Sequence, residues 1–117
     1  MKILVIDDDH EEFMLIEKAL KSAGYQSIQY ASSGEEGVEK VKIGDVVVVV
    51  TDTVMHGMDG FETCQKIMEI ESRRIKVIIL TGQVDAVDAG KARQVGADDY
   101  CVKTSDYELL INALKGL

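Results

Sequence analysis

Short apolar runs alternate with amphipathic stretches along the whole chain. Apolar and β-branched residues predict strands over 2–6, 27–30, 46–51, 76–81 and 99–102. The residues that follow each strand carry apolar side chains at helical spacing, which predicts five helices. Residues 46–50 are all valine, as expected of a central strand that is buried on both faces. This order of elements predicts a doubly wound α/β domain with a five-stranded parallel sheet and right-handed crossovers.

Polar caps and glycines mark the predicted ends of the helices. Asp9 is the expected N-cap of the first helix, and Gly24 is its expected end. Ser33 and Glu36 have capping-box spacing and predict the start of the second helix, which ends near Gly44. The remaining helices are predicted over 61–72, over 85–95, and from a capping box at Ser105 and Glu108 onwards.

Composition and charge narrow the classes of function. The chain has 117 residues with 46% hydrophobic content, which predicts a single domain over 1–117. With 13 basic and 21 acidic residues the net charge is −8, which disfavours direct contact with nucleic acid or with an anionic membrane. No signal peptide or membrane span is recognisable, so a cytoplasmic location is expected. Cys64 and Cys101 are predicted to be reduced, partly buried thiols.

Polar side chains gather at the carboxyl ends of four predicted strands. Asp7 and Asp8 follow the first strand, Asp52 the third, Thr81 the fourth and Lys103 the fifth. Chemistry in parallel sheets is placed at this edge. Three crowded carboxylates imply a hard divalent cation between them, which makes Asp52 a candidate nucleophile towards a phosphoryl group. The threonine hydroxyl and the lysine ammonium would then contact the phosphoryl oxygens.

At this point the sequence resembles the receiver domains of two-component response regulators. The segments that carry the resemblance are 3–9, 52–60, 80–82 and 96–103. The resemblance implies a flavodoxin-like sheet of order 2-1-3-4-5, with Asp52 as the phosphoacceptor. It also implies Mg²⁺ held by Asp8, Asp52, the backbone carbonyl of Val54 and, through water, Asp7. Lys103 would pair with the phosphoryl group.

The resemblance also implies a switch and partners. Thr81 would move towards the phosphoryl group, and Tyr100 would rotate from an exposed to a buried position. A sensor histidine kinase or phosphotransfer protein would donate the phosphoryl group. The signal would pass through helix 4, strand 5 and helix 5 to an effector protein or a fused output domain, from a monomer or a weak phosphorylation-dependent dimer. On this interpretation the chain is not an enzyme.

The absence of proline is the main departure from the receiver pattern. Proline is usual where His56 and Thr104 stand, and in receivers the bond after the lysine is commonly cis. We expect the Lys103–Thr104 bond to remain cis so that the lysine reaches the site. His56 is interpreted as a loop substitution, because Mg²⁺ prefers oxygen ligands. Val54 cannot activate water, which predicts slow intrinsic dephosphorylation.

Two other functions are considered. A haloacid-dehalogenase-type phosphatase also uses an aspartate nucleophile beside Mg²⁺, but it needs a second acid where Val54 stands, and it usually carries a cap insertion. A degenerate receiver could serve as a phosphorylation-independent binding module. Such proteins typically lose a site residue, whereas all five are present here. The cognate kinase, the pathway and the output are left open by the sequence.

Overall fold

The computed structural model describes residues 1–71, 75–83 and 85–117. Its strands are β1 (Lys2–Ile6), β2 (Ser27–Ala31), β3 (Val46–Asp52), β4 (Lys76–Thr81) and β5 (Asp99–Val102). Its helices are α1 (His10–Ser22), α2 (Gly34–Ile43), α3 (Gly60–Glu71), α4 (Ala86–Gln94) and α5 (Glu108–Lys115). The five predicted β–α units are confirmed. The predicted end of the third helix at Ser72 lies outside the described residues.

All neighbouring strands are parallel, and their order is β2-β1-β3-β4-β5, as predicted. Alternate residues of the central strands enter two hydrophobic cores on opposite faces of the sheet. On one face the core contains Leu4 and Val49, and on the other it contains Ile3 and Val50. The helices cover both faces of the sheet. The end of the sheet at which the strands have their carboxyl termini is left open, and this end is called the sheet edge.

The ladder between β1 and β3 is irregular near the start of the all-valine run. The pairing of β1 with β3 shifts register between Lys2 and Ile3, whose partners are Val46 and Val48. Val47 has no partner in this ladder and is 38% exposed. The expectation of a strand buried on both faces therefore holds from Val48 onwards, because an extra residue in one strand turns its side chain out of the sheet.

The polar caps of the first two helices form largely as predicted. The Asp9 side chain accepts hydrogen bonds from the backbone N–H groups of Glu11 and Glu12, at 3.0 and 3.4 Å. Ser33 Oγ accepts from Glu36 N at 3.1 Å. The Glu36 carboxylate, however, accepts from Ser32 N at 2.6 Å, one residue before the expected partner.

The start of the last helix differs from the prediction. Helix α5 begins at Glu108, and Ser105 does not cap it. Glu108 N instead donates to Thr104 Oγ1 at 3.0 Å and to Asp106 Oδ1 at 3.1 Å. Tyr107 adopts a left-handed backbone with φ of 56°, and its side chain is buried in the core. Thr104 and Asp106 thus cap α5 in place of Ser105, and the turn before the helix buries Tyr107.

The Lys103–Thr104 bond is trans, so the expected cis bond is wrong. A cis bond before a residue other than proline costs about 3 kcal/mol, and nothing at this turn requires it. Lys103 N donates to Thr81 O at 2.7 Å, which extends the β4–β5 ladder to the lysine. From that point the four-carbon side chain reaches the sheet edge without a cis bond.

Candidate functional site

The carboxyl ends of β3 and β5 bring Asp52 and Lys103 together. Lys103 Nζ lies 3.1 Å from Asp52 Oδ1, and their side chains are 18% and 14% exposed. Asp52 Oδ1 also accepts a hydrogen bond from Thr53 N at 2.9 Å. Burial raises the pKa of Asp52, and the Lys103 ammonium opposes this rise. The Asp52 carboxylate is thus largely shielded from solvent and has a cation beside it.

Asp7 lies at the neighbouring end of β1 and is 1% exposed. Its Oδ1 accepts from Asp9 N at 2.9 Å, and the hydroxyl of Tyr30 donates to its backbone carbonyl at 2.7 Å. Burial raises the pKa of Asp7 to about 8, with further contributions from a hydrogen bond to Glu12 and the charge of Asp52. A nearby cation would relieve this penalty on the charged form.

Glu12 is a member of the site that the sequence interpretation missed. Its carboxylate forms an ion pair with Lys103. Carboxylate oxygens of Asp7, Glu12 and Asp52 lie within 4.8 Å of one another. Glu12 was not among the candidate site residues in the sequence analysis. The sequence does carry a signal for the direction of this side chain, because positions 12, 16 and 20 share a helix face and Ile16 and Leu20 are apolar.

The Asp8 carboxylate is turned towards the loop after β3. Asp8 Oδ2 lies 2.9 Å from both the backbone N and the ring Nδ1 of His56. The bond from the His56 backbone N–H is the largest cause that holds the pKa of Asp8 below its usual range. Within the described residues, the close carboxylate cluster contains Glu12 and not Asp8. His56 is therefore a partner of a predicted metal ligand.

The other predicted site residues differ in exposure and in hydrogen bonding. The Thr81 hydroxyl donates to Gln83 O at 2.9 Å, so it is bonded within its own loop. Val54 is 78% exposed. Tyr100 is half-buried and packs against the core, and its hydroxyl is a buried oxygen without a hydrogen-bond partner in the described part of the chain.

The donor set of the cluster fits a hard divalent cation. All its ligand atoms are carboxylate oxygens, which Mg²⁺ prefers over nitrogen or sulfur. One of the three acids is almost fully buried, and the lysine supplies only one compensating charge. Both thiols lie elsewhere: Cys64 and Cys101 are buried and free, as predicted.

Comparisons with known proteins identify relatives of the whole domain. The model of the response regulator receiver domain matches residues 3–115. The transcriptional regulatory protein YvrH of Bacillus subtilis is 38% identical over 101 residues, which cover 86% of this chain and 42% of YvrH. The regulatory protein VanR of Enterococcus faecium is 33% identical over 102 residues, which cover 87% of this chain and 43% of VanR. The chain thus spans less than half the length of these two relatives.

Solved structures agree with this assignment. The response regulator TrrA of Thermotoga maritima, solved in complex with Mg²⁺ and BeF, superimposes with a TM-score of 0.88 at 31% identity, covering 99% of this chain and 98% of TrrA. The chemotaxis protein CheY4 of Vibrio cholerae has a TM-score of 0.88 at 26% identity, covering 98% of this chain and 96% of CheY4. None of the helices in the described residues is long and apolar enough to cross a membrane.

Receiver domains are signalling modules that bind Mg²⁺ at an acidic site, and the present chain has such an acidic cluster at the edge of its sheet. The match extends over nearly all of the sequence and agrees with the sheet order. The chain belongs to the response regulator receiver domain family of two-component systems.

Proposed function

We propose that this chain is a phosphoacceptor receiver that takes a phosphoryl group on Asp52 from a sensor histidine kinase or a phosphotransfer protein. The observation that carries the proposal is the pairing of Asp52 with Lys103 at 3.1 Å, beside the buried Asp7. In this pairing Asp52 would serve as the carboxylate nucleophile and Lys103 as the cation for a phosphoryl oxygen, which supports the proposal. The family membership supports the same role.

In the proposed reaction an Asp52 carboxylate oxygen attacks the phosphorus atom of a phosphohistidine. A P–O bond forms, the P–N bond breaks, and the imidazole nitrogen leaves with the bonding electrons. Asp52 becomes an acyl phosphate. Lys103 would contact one phosphoryl oxygen. Thr81 would give up its hydrogen bond to Gln83 O and donate to a second phosphoryl oxygen. The chain contributes mainly positioning and charge neutralisation.

Asp7, Asp8, Asp52 and the backbone carbonyl of Val54 are the proposed Mg²⁺ ligands. When bound, the ion neutralises charge that develops on the transferred group. Asp7 and Asp52 already lie in one carboxylate cluster. Both contacts of Asp8 with His56 use Oδ2, so a metal bound at that oxygen would compete with His56.

The proposed output surface is formed by α4, β5 and α5. Tyr100 is on β5 with its ring partly covered, and it is the proposed residue that couples the site to this surface. Val87 of α4 is 73% exposed and Leu109 of α5 is 42% exposed, which offers apolar area to an effector or an output domain. The negative net charge favours a protein partner over nucleic acid.

A second candidate function is a binding module that works without phosphorylation. The observation that favours it is the pairing of Asp8 with His56, because His56 would compete with a metal for Asp8 Oδ2. The two functions differ in whether Asp52 reacts. A haloacid-dehalogenase-type phosphatase gains no support, since exposed Val54 stands where that enzyme needs an acid.

The test is phosphorylation by a small-molecule phosphodonor with Mg²⁺, followed by intact mass. The wild-type protein should gain the mass of one phosphoryl group, and Asp52→Asn should gain none. Asp59→Asn is the matched control, because Asp59 caps α3 through Glu62 N at 2.8 Å and asparagine caps equally well. If neither the wild type nor Asp59→Asn is modified, the binding module is the better assignment.

A further inference from the structure

Glu12 is a group at this site that the family pattern does not account for. It lies in the first turn of α1, and its carboxylate contacts the ammonium of Lys103. The side chains are 23% and 18% exposed, so the pair is largely shielded from water. The same ammonium lies 3.1 Å from Asp52 Oδ1. One lysine therefore bridges two carboxylates.

We propose that Glu12 is a positioning residue that holds Lys103 in the resting protein and must release it when Asp52 is phosphorylated. This inference rests on the proposed function of Asp52. Phosphorylation replaces the single negative charge of Asp52 with a phosphoryl group that carries about −2 and several strong acceptor oxygens. Lys103 has one positive charge to share among these acceptors. Phosphorylation therefore competes with Glu12 for the lysine.

The surrounding charges make this competition strong. The Glu12 carboxylate lies within 4.8 Å of the carboxylate oxygens of Asp7 and Asp52, in addition to its ion pair with Lys103. The lysine favours the charged form of Glu12, beside the place where more negative charge arrives. Because like charges in a half-buried site repel, Glu12 disfavours the phosphorylated state. The charge of Glu12 therefore raises the free energy of the phosphorylated protein.

Glu12→Gln tests this role, since glutamine keeps the shape and the hydrogen-bonding capacity but removes the charge. The first measurement is the affinity for beryllofluoride at saturating Mg²⁺, followed by amide NMR shifts; the BeF₃⁻ adduct stands in for the phosphoryl group. We expect Glu12→Gln to bind beryllofluoride roughly tenfold more tightly, which is a change of about 1.4 kcal/mol in the free energy of binding. Saturation with Mg²⁺ removes any effect of the variant on metal affinity.

Glu11→Gln is the matched control, because Glu11 is exposed in the same helical turn and loses the same charge. It should bind as the wild type does. Equal affinity of Glu12→Gln and Glu11→Gln, or weaker binding by Glu12→Gln, would overturn the inference. Failure of the wild type to bind beryllofluoride would instead refute the proposed function itself.

The second measurement needs no metal and reports on the energetic coupling between Glu12 and Lys103. In EDTA, Lys103→Met should lower the melting temperature, because it leaves a cluster of carboxylates without a cation. Adding Glu12→Gln to that variant should recover most of the loss, whereas adding Glu11→Gln should not. Additive effects of Glu12→Gln and Lys103→Met would show that the two side chains are uncoupled and would contradict the inference.

Discussion

Gly60→Ala should destabilise the protein strongly, because Gly60 sits where α3 begins against the end of β3. A Cβ at this residue would lie 2.0 Å from Asp52 O, 2.9 Å from Asp52 C and 3.0 Å from Thr53 Cα. All three atoms belong to the backbone and cannot rotate away. Gly60 N also donates to Thr53 O at 3.0 Å, which holds the two segments at this separation.

The magnitude follows from the cost of inserting atoms into a packed interior. Such insertions cost about 1–3 kcal/mol, and a contact this short with immobile atoms belongs at the upper end, near 3 kcal/mol. For a domain of this size that corresponds to a fall in melting temperature of roughly 10 °C. The added methyl group would also displace the backbone of Asp52, the proposed phosphoacceptor, so affinity for Mg²⁺ should fall as well.

Gly90→Ala is the matched control for this prediction. Gly90 lies inside α4, and a Cβ there would have no heavy atom within 4 Å. Alanine in a helix interior is more favourable than glycine by up to about 1 kcal/mol. The assay is urea unfolding of the wild type and both variants, followed by far-ultraviolet circular dichroism. Gly60→Ala with a stability within 1 kcal/mol of the wild type would refute the reasoning.

Three further predictions concern the buried thiol of Cys64, the lifetime of the phosphorylated protein and the role of Lys103 in the switch. Burial raises the pKa of Cys64 to about 12. The stability that the neutral thiol contributes should therefore be complete below about pH 9 and be lost as the pH rises towards 12. Urea unfolding across this range should show a smaller loss of stability in Cys64→Ala than in the wild type. Exposed Val54 cannot activate water, so the phosphorylated protein should lose its phosphoryl group slowly, and a lifetime of seconds in a time course of intact mass would count against this. Lys103→Ala should still accept a phosphoryl group but fail to shift the amide resonances of Tyr100, whereas a normal response would refute the assigned role of the lysine.

The fold could be predicted from sequence because its signals are local and mutually consistent. The bounds of β4 and β5 agree with the prediction, and Asp9 caps α1 as expected. Parallel topology then follows, since each strand is separated from the next by a helix. The start of α5 was not predicted correctly. A capping-box spacing at Ser105 carries no information on the turn before the helix, in which Tyr107 is buried.

The candidate site was predictable only in part. Strand ends placed Asp7, Asp52 and Lys103 at one edge without knowledge of any contact. The partners of long side chains depend on rotamers and on neighbours distant in sequence, so the pairing of Glu12 with Lys103, 91 residues away, left little trace in the sequence. The contact of Asp8 with His56 is of the same kind.

The most direct test of the central claim is a backbone amide NMR spectrum with Mg²⁺ and then with beryllofluoride, which requires no cognate kinase. The account predicts shifts that begin around Asp8 and Asp52 and spread to Thr81, Tyr100 and α5. Shifts confined to the site would show phosphoacceptor chemistry without a switch. Unchanged resonances after both additions would contradict the claim that this chain is a phosphorylation-dependent receiver.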